Sequence, residues 1–318
     1  MRPRIVADVG GTYARVAWTD SAGEPVQLHA SQTYRCAQYP SLAAILSAYA
    51  DHAGLAADQT TAVVAIAGVM QGDTLVNANL AWPVSRRATE HDAGLHCLHI
   101  INDFQAVALA IPLLRAEQRI ALHAEQDRLP AWPALVLGPG TGLGAALCFA
   151  DGSGRVLSSE AGHAALAAGN TEEMQVLQHL LQRWPHVDNE RVLSGPGLLT
   201  LYQALCTIAG RPAQAYDAQA LLAAARDGDD ACAAQAVAMF CAWLGSLAGD
   251  LALTFGARSV FLAGGVSSHI AAPLSAGGFA ARFTNKGVLG EVLQSVPVWR
   301  VEHGALGVLG AAAWRWGD

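Results

Sequence analysis

Two glycine-broken strand pairs constrain this chain more than any other feature. An apolar run, Ile5 to Val9, stops at Gly10-Gly11-Thr12 and resumes as Val16-Ala17-Trp18. Much later, Ala134 to Leu137 stops in Gly138-Pro139-Gly140-Thr141-Gly142-Leu143-Gly144 and resumes as Ala145 to Ala150. A short apolar run that ends in glycine and restarts at once reads as strand, turn, strand. Two such units, at 5–18 and 134–149, suit the openings of the two halves of a duplicated architecture. With 318 residues the chain has room for it, since a domain takes roughly 150.

The rest of the pattern alternates. Pro40-Ser41 opens a helical stretch from Leu42 to Ala50, with Ser41 as its cap. Val63 to Ala67 and Cys97 to Ile101 are short buried strands, ending at Gly68 and at Asn102-Asp103; Phe104 to Leu114 follows with helical spacing. Beyond Thr171 the pattern is mostly helical. Ser194-Gly195-Pro196-Gly197 separates two helices, an Ala- and Leu-rich helix spans about 231 to 255, and Val260 to Ala263 is a late strand ending in Gly264-Gly265. Leu306 to Trp314 reads as a final helix, and Asp20-Ser21-Ala22-Gly23 and Asp151-Gly152-Ser153-Gly154 read as turns. Strands alternating with helices, with hairpins between, give an α/β class with mixed sheets and a domain boundary near 110–115.

Charge and composition exclude several functions. The net charge is −7 and no run of Lys and Arg occurs, so no electrostatic footprint for nucleic acid is expected. The sole lysine, Lys286, stands in Thr284-Asn285-Lys286-Gly287. A Walker A loop needs Gly-Lys-Ser/Thr and a protein-kinase site needs a lysine on an early strand, so both are excluded. The cysteines at 36, 97, 148, 206, 232 and 241 form no CxxC or CxC spacing and read as reduced core residues of a cytoplasmic protein. The apolar stretch after Met1-Arg2-Pro3-Arg4 is too short for a signal peptide. No stretch is expected to reach about 18 apolar residues without a charge or turn, so no membrane span is expected.

Five constellations are chemically suggestive. In Asp8-Val9-Gly10-Gly11-Thr12, a glycine turn exposes backbone N–H groups to phosphate oxygens, and Asp8 at a strand end suits a hydrated Mg²⁺; the plainer reading is a hairpin with a buried Asp. Gly140-Thr141-Gly142 belongs to a stretch with four glycines in seven residues, through which a backbone approaches a ligand closely. Loosely, Gly140 to Ala145 also fits the dinucleotide fingerprint, which requires a helix from about 142. Asp103, beyond the carboxyl end of a strand, suits a general base or simply caps the helix after it. Glu160-Ala161-Gly162-His163, with Glu190 further on, suits a polyhydroxylated ligand or is a plain polar loop; His186-Val187-Asp188-Asn189-Glu190 lacks the spacing of a metal site. Gly264-Gly265 lets a flat ring pack on backbone or is an ordinary strand-to-helix turn.

Order and spacing say more than any one motif. Asp-x-Gly-Gly-Thr-x-x-Arg from Asp8, Ile-Asn-Asp-Phe to Phe104, Gly-x-Gly-Thr-Gly-Leu-Gly to Gly144, Glu-x-Gly-His to His163, Glu-Arg-Val-Leu-Ser-Gly-Pro-Gly from Glu190 and Leu-Ala-Gly-Gly to Gly265 resemble the proteobacterial-type glucokinase family of the actin-like/hexokinase ATPase superfamily. The resemblance covers nearly the whole chain, and the block from Glu190 to Gly197 is its most specific part.

The resemblance implies a two-domain α/β, ribonuclease H-like fold with an interdomain cleft: a small domain of 1–113 plus 304–318 and a large α+β domain of 114–303. It implies ATP-dependent phosphorylation of D-glucose at the 6-hydroxyl, with Asp103 as catalytic base and Asn102, Asp103, Glu160, His163 and Glu190 around the sugar. Asp8, Gly10, Gly11 and Thr12, then Gly140, Thr141 and Gly142, then Gly264 and Gly265 would hold ATP, with Asp8 touching Mg²⁺ indirectly. A homodimer is implied, with no membrane or nucleic-acid partner. Tyr13, Ala161 and Pro139 depart from the Asn, Gly and Ala usual there, and the zinc-binding cysteines of the related ROK kinases are absent. The rival readings are a kinase for another hexose (mannose, fructose or glucosamine), a nicotinamide-dependent oxidoreductase using Gly140 to Ala145, and a sugar sensor of the same fold. For the sensor, a first strand beginning at residue 5 is expected to leave no room for a DNA-binding helix pair.

Overall fold

A computed structural model describes residues 3–20, 26–76, 80, 82–123, 128–149, 155–302 and 304–315. The expected turn at Asp20-Ser21-Ala22-Gly23 lies mostly outside these residues, and that at Asp151 to Gly154 wholly so. The chain divides into two compact units, one of Met1–Leu114, Cys148–Ser158 and Gly304–Asp318, the other of Arg115–Leu147 and Ser159–His303.

In the first unit, β1 (Arg4–Val9), β2 (Tyr13–Thr19), β3 (His29–Arg35), β4 (Thr61–Ile66), the short hairpin β5 (Val69–Gln71) and β6 (Thr74–Val76), and β7 (Cys97–Asn102) alternate with α1 (Leu42–Ala53), α2 (Arg86–Asp92) and α3 (Asp103–Ala110). The main sheet runs β3-β2-β1-β4-β7. β1 is antiparallel to β2, with Val9 opposite Ala14, and parallel to β4, which is parallel to β7 with Ile66 opposite Asn102. Strand alternation sends successive residues to opposite faces. Ile5, Ala7 and Val9 pack with Ile45, Leu46 and Tyr49 of α1. Val6, Val63 and Ala65 pack on the other face with Ala106 and Leu109 of α3 and Val308 and Ala311 of the C-terminal helix Leu306–Ala313. A strand covered on both faces reads as a continuous apolar run, and β4, Thr-Ala-Val-Val-Ala-Ile, is buried throughout. Ser41 caps α1 as expected, accepting from the Ala44 N–H at 3.2 Å. α3 stops earlier than its pattern suggests and gives way to a 3₁₀ turn, Ile111–Leu113, because Pro112 has no N–H with which to continue the α-helical ladder.

The second unit is built on β8 (Arg119–His123), β9 (Ala134–Pro139), β10 (Leu143–Cys148), β12 (Ser259–Leu262) and β13 (Val298–Val301), in the sheet order β10-β9-β12-β13-β8, while β11 (Val156–Ser159) lies, but for its last residue, in the first unit's stretch Cys148–Ser158. β9, β12 and β13 are mutually parallel, and β8 closes the edge antiparallel to β13. Its helices are α4 (Thr171–Leu181), α5 (Gly195–Ile208), α6 (Ala218–Asp227), α7 (Ala231–Phe255), α8 (Gly265–His269), α9 (Ala271–Ser275), α10 (Gly278–Thr284) and α11 (Gly290–Gln294). The residues after Gly142 form strand β10, so the helix required by the dinucleotide fingerprint is not there. α7 corrects another expectation. No charged residue stands between Ala231 and Gly249, and the helix is long and apolar enough, by length and composition, to cross a membrane. Here 67% of its most apolar window is buried, with Phe240, Trp243 and Leu244 in the core of this unit. All six cysteines are free.

Candidate active site

Each unit gathers its candidate residues at the carboxyl edge of its own parallel strands, where open α/β sheets take their ligands. In the first unit, β1 delivers Asp8 and the turn Gly10-Gly11-Thr12, while β7 delivers Asn102 and Asp103. Gly10, Gly11 and Thr12 are exposed. The turn is closed by the Gly10 N–H on Tyr13 O at 2.9 Å, and the Cys36 N–H supports it from below, donating to Thr12 O at 2.9 Å. The Cys36 thiol also donates to Gly10 O at 3.3 Å. Tyr13 lies under Arg35, whose guanidinium is 5.8 Å from the ring centroid, so this departure from the family pattern supplies a cation–π contact beside the turn.

Asp8 is largely buried. Desolvation pushes its carboxyl above the ordinary value, and Arg15, at 3.8 Å, opposes the shift. It also stands against the first turn of the C-terminal helix: a Cβ on Gly307 would come within 2.5 Å of the Asp8 carboxyl carbon. A residue larger than glycine there displaces the carboxylate.

The sequence left Asp103 as either base or helix cap. The cap is Asn102: its Oδ1 accepts from the N–H groups of Phe104 at 2.9 Å and Gln105 at 3.1 Å. Its Nδ2 donates to Gly68 O at 3.4 Å. Asp103 is instead the first residue of α3, half-buried, with one carboxylate oxygen 2.8 Å from the Phe104 N–H.

In the second unit the glycine turn after β9 is tied down more heavily. Gly140 N–H donates to Gly142 O at 2.8 Å, and Gly195 N–H at the start of α5 donates to Gly140 O at 2.8 Å. Glu190 Oε2 accepts from the Leu143 N–H at 2.8 Å. Thr141 is exposed, and a Cβ at Gly140 or Gly265 would meet nothing within 4 Å, which leaves open space over both turns. Gly264 has a different part. It is the N-cap of α8 in an ordinary strand-to-helix turn, and a Cβ there would come within 2.3 Å of Pro139 O, so it brings the start of α8 close against the end of β9.

Glu160, His163 and Glu190 come together in this unit through a short segment. Glu190 N–H donates to Gly162 O at 2.9 Å, and Asn189 N–H to Ala164 O at 3.0 Å. His163 Nε2 faces Glu160 at 3.9 Å and its Nδ1 faces Asp188 at 3.9 Å. Asn189, buried, donates from Nδ2 to Ala161 O at 3.0 Å. Sequence reasoning missed Asp188 and Asn189, although they stand next to Glu190; the signal available was that a polar pair precedes the most specific block in the chain. Among the described residues no group of three His, Cys, Asp or Glu suits a metal ion by itself.

The family model for glucokinase matches residues 5–316. A glucokinase-like protein of Xylella fastidiosa is 42% identical over 317 residues, covering 98% of this chain and 93% of the relative. A glucokinase of Saccharophagus degradans is 37% identical over 317 residues, covering 99% of this chain and 98% of its own. The crystal structure of a glucokinase from an Antarctic psychrotroph matches with a TM-score of 0.86 at 33% identity over 98% of both chains. A ROK-family glucokinase of Streptomyces griseus, solved with glucose and AMPPNP, shares the fold at a TM-score of 0.64 and 19% identity over 98% of each chain. The mixed α/β architecture is that of the actin-like ATPase sugar kinases, and the chain belongs to the glucokinase family of enzymes, kinases that phosphorylate a sugar.

Proposed function

We propose that this protein transfers the γ-phosphoryl group of ATP to the 6-hydroxyl of D-glucose, with Asp103 as general base. The observation that carries this reading is the division of labour at the start of α3. Asn102 does the capping, and Asp103 sits beside it at the same strand edge as Asp8 and the first glycine turn. In the proposed step the Asp103 carboxylate takes the proton of the 6-hydroxyl as that oxygen bonds to the γ-phosphorus. The bond from phosphorus to the β–γ bridging oxygen breaks, and ADP leaves. Such transition states are loose, so positioning and charge stabilisation do most of the work.

The residues present fit a nucleotide triphosphate. Both glycine turns expose backbone, hydroxyls of Thr12 and Thr141 stand on them, and the space over Gly140 and Gly265 is open. Asp8 offers the hard oxygen that suits a hydrated Mg²⁺. When bound, Mg²⁺ neutralises charge on the phosphate oxygens. The chain's only lysine takes no part: Lys286 Nζ is tied to Asp250 at 2.8 Å and Ser246 at 3.0 Å. Asn102, Glu160, His163 and Glu190 are proposed to hydrogen-bond the remaining sugar hydroxyls. A polar shell of this kind rejects analogues lacking a hydroxyl, and a bulky acetamide at C2 would crowd it.

The test is a coupled assay with ATP against glucose, mannose, fructose, glucosamine and N-acetylglucosamine. Glucose is expected to give the highest kcat/KM and N-acetylglucosamine the lowest. Asp103→Asn is expected to lower kcat at least about a hundredfold with an unchanged circular dichroism spectrum, because a general base contributes about 10²–10⁴-fold. Near-normal turnover in that variant removes Asp103 from the role.

A further inference from the structure

The segment His186 to Glu190, which has no metal spacing, is engaged residue by residue with the loop that carries His163. His186 Nε2 lies 3.0 Å from His163 O. Asp188 pairs across an isolated bridge with Ala165. Asn189 holds the carbonyls of Ala161 and Ala164, and Glu190 holds that of Gly162. The backbone of the loop is thereby fixed from one side. The imidazole of His163 needs a separate constraint, since its side chain is 61% exposed.

From the geometry we infer that Asp188 is a positioning residue that sets the tautomer of His163, holding the proton on Nδ1 so that bare Nε2 faces the sugar as a hydrogen-bond acceptor. This rests on the sugar-site reading proposed above. Asp188 suits the task because its two oxygens have separate duties. Oδ1 accepts the Arg191 N–H at 2.8 Å, which fixes the carboxylate plane. Oδ2 is the oxygen facing His163 Nδ1 at 3.9 Å, and only 13% of the Asp188 side chain is exposed. Arg191 Nε lies 3.9 Å from the same Oδ2, and Glu160 is the carboxylate on the opposite, Nε2 side of the ring. A 3.9 Å gap is ion-pair range rather than a hydrogen bond, and bonds of this kind commonly tighten only when substrate is held. The nitrogen that carries the proton of a neutral imidazole is set by the partner of the other nitrogen. Carboxylates stand at 3.9 Å from both ring nitrogens, but Glu160 is 65% exposed and screened by solvent, whereas Asp188 is 13% exposed and anchored by the Arg191 N–H, so Asp188 prevails, selects Nδ1–H and leaves Nε2 to accept from a sugar hydroxyl.

Asp188→Asn inverts this arrangement at nearly constant shape. The Arg191 N–H still demands an acceptor, so the amide oxygen takes the Oδ1 place and the amide NH₂ faces His163 Nδ1. That forces the proton onto Nε2. The experiment is long-range ¹H–¹⁵N NMR on the full-length, glucose-bound enzyme in alkaline buffer, with the His163 ring signals assigned by their loss in His163→Gln. The Nδ1–H pattern is expected in the unmodified protein and the Nε2–H pattern in Asp188→Asn, a reversal that a merely structural role for Asp188 does not produce. In the same variant the KM for glucose is expected to rise about three- to tenfold, the worth of one hydrogen bond, while the KM for ATP stays within about twofold. An Nε2–H pattern in the unmodified protein, or a tautomer indifferent to the substitution, overturns the proposal. Should Asp188→Asn fail to fold, the tautomer of the unmodified protein decides alone. If His163→Gln leaves the glucose KM unchanged while the tautomer follows Asp188, the sugar-site reading fails and the positioning role stands.

Discussion

The two glycine turns look alike in sequence but are held in place by different chemistry. The turn at Gly10-Gly11-Thr12 rests on its own backbone and on Cys36, through one N–H and one thiol, all neutral groups. The turn at Gly140-Thr141-Gly142 rests on a carboxylate: Glu190 Oε2 accepts the Leu143 N–H at 2.8 Å while its own backbone N–H engages the loop of Glu160 and His163. Hydrogen bonds to an ionised group are roughly twice as strong as neutral ones. The second turn is therefore the more firmly set of the two, and its anchor is a residue proposed to touch the sugar. Of the two sheet edges, one thus carries a turn that stands apart from the proposed sugar shell and the other a turn tied to it.

The sharpest test of that contrast pairs Gly142→Ala with Gly10→Ala. A Cβ at Gly142 would stand 2.5 Å from Glu190 Oε2, whereas at Gly10 it would sit at an ordinary 3.6 Å from Tyr13 O. The Glu190 side chain is flexible enough to swing away, but in doing so it gives up the Leu143 N–H. The expected cost is that of a hydrogen bond to a charged group, about 1.5–3 kcal/mol, read as a fall of roughly ten- to a hundredfold in kcat/KM and a lowered Tm. Gly10→Ala is expected to leave the Tm unchanged. Equal losses of Tm in the two variants would erase the distinction between the turns.

Glu190→Gln asks a narrower question. The glutamine oxygen still accepts from Leu143, without the charge. We expect the KM for glucose and the KM for ATP to rise together, each about five- to tenfold, because one group serves both the sugar loop and the second turn. Steady-state kinetics with each substrate varied in turn would check this, and a rise in the glucose KM alone would uncouple the two.

The sequence displayed the second turn's glycines but not their anchor, for a physical reason. Strand-and-turn grammar is local: β1, β2, β4, β7, β9, β10 and β12 appear as short apolar runs closed by turn residues or by Asn-Asp, and α1 and α7 as apolar stretches, the first opened by Ser41. β3 did not appear, because His-Ala-Ser-Gln-Thr-Tyr-Arg is an exposed edge strand with no apolar alternation and takes its shape from β2 alone. Glu190 was legible as a candidate sugar ligand, yet its bond to Leu143 spans 47 residues and leaves no periodic trace. Asp188 and Asn189 stood in view beside Glu190, but their contacts with His163 and Ala161 run across a loop pairing that forms only in the fold. Asp103 is the mixed case, since a carboxylate at a strand end before a helix was plain, but only the folded geometry assigns the cap to its neighbour Asn102.

The first turn also has a carboxylate near it, and burial works against that one. Glu190 is satisfied by an N–H, whereas burial raises the pKa of Asp8 despite Arg15 at 3.8 Å. A carboxyl whose folded pKa lies above its unfolded one binds its proton more tightly in the native state. The associated stability is fully present below the ordinary Asp value of 3.8 and is lost as pH climbs from there through the raised value. Wherever Asp8 is ionised, the native protein therefore carries a desolvated carboxylate as a net cost, the kind of local penalty retained where a charge is needed for function. Asp8→Asn removes the ionisation and keeps the shape. It is expected to raise the Tm at pH 7, by roughly 2–4 °C for each kcal/mol relieved, while weakening the response of kcat/KM to Mg²⁺. The Tm gap should shrink as the pH is lowered toward 3.8, where Asp8 of the unmodified protein also becomes neutral. Thermal melts of both proteins across that range read the sign directly: a Tm that falls on substitution at pH 7 would mean that Asp8 is held by a partner after all.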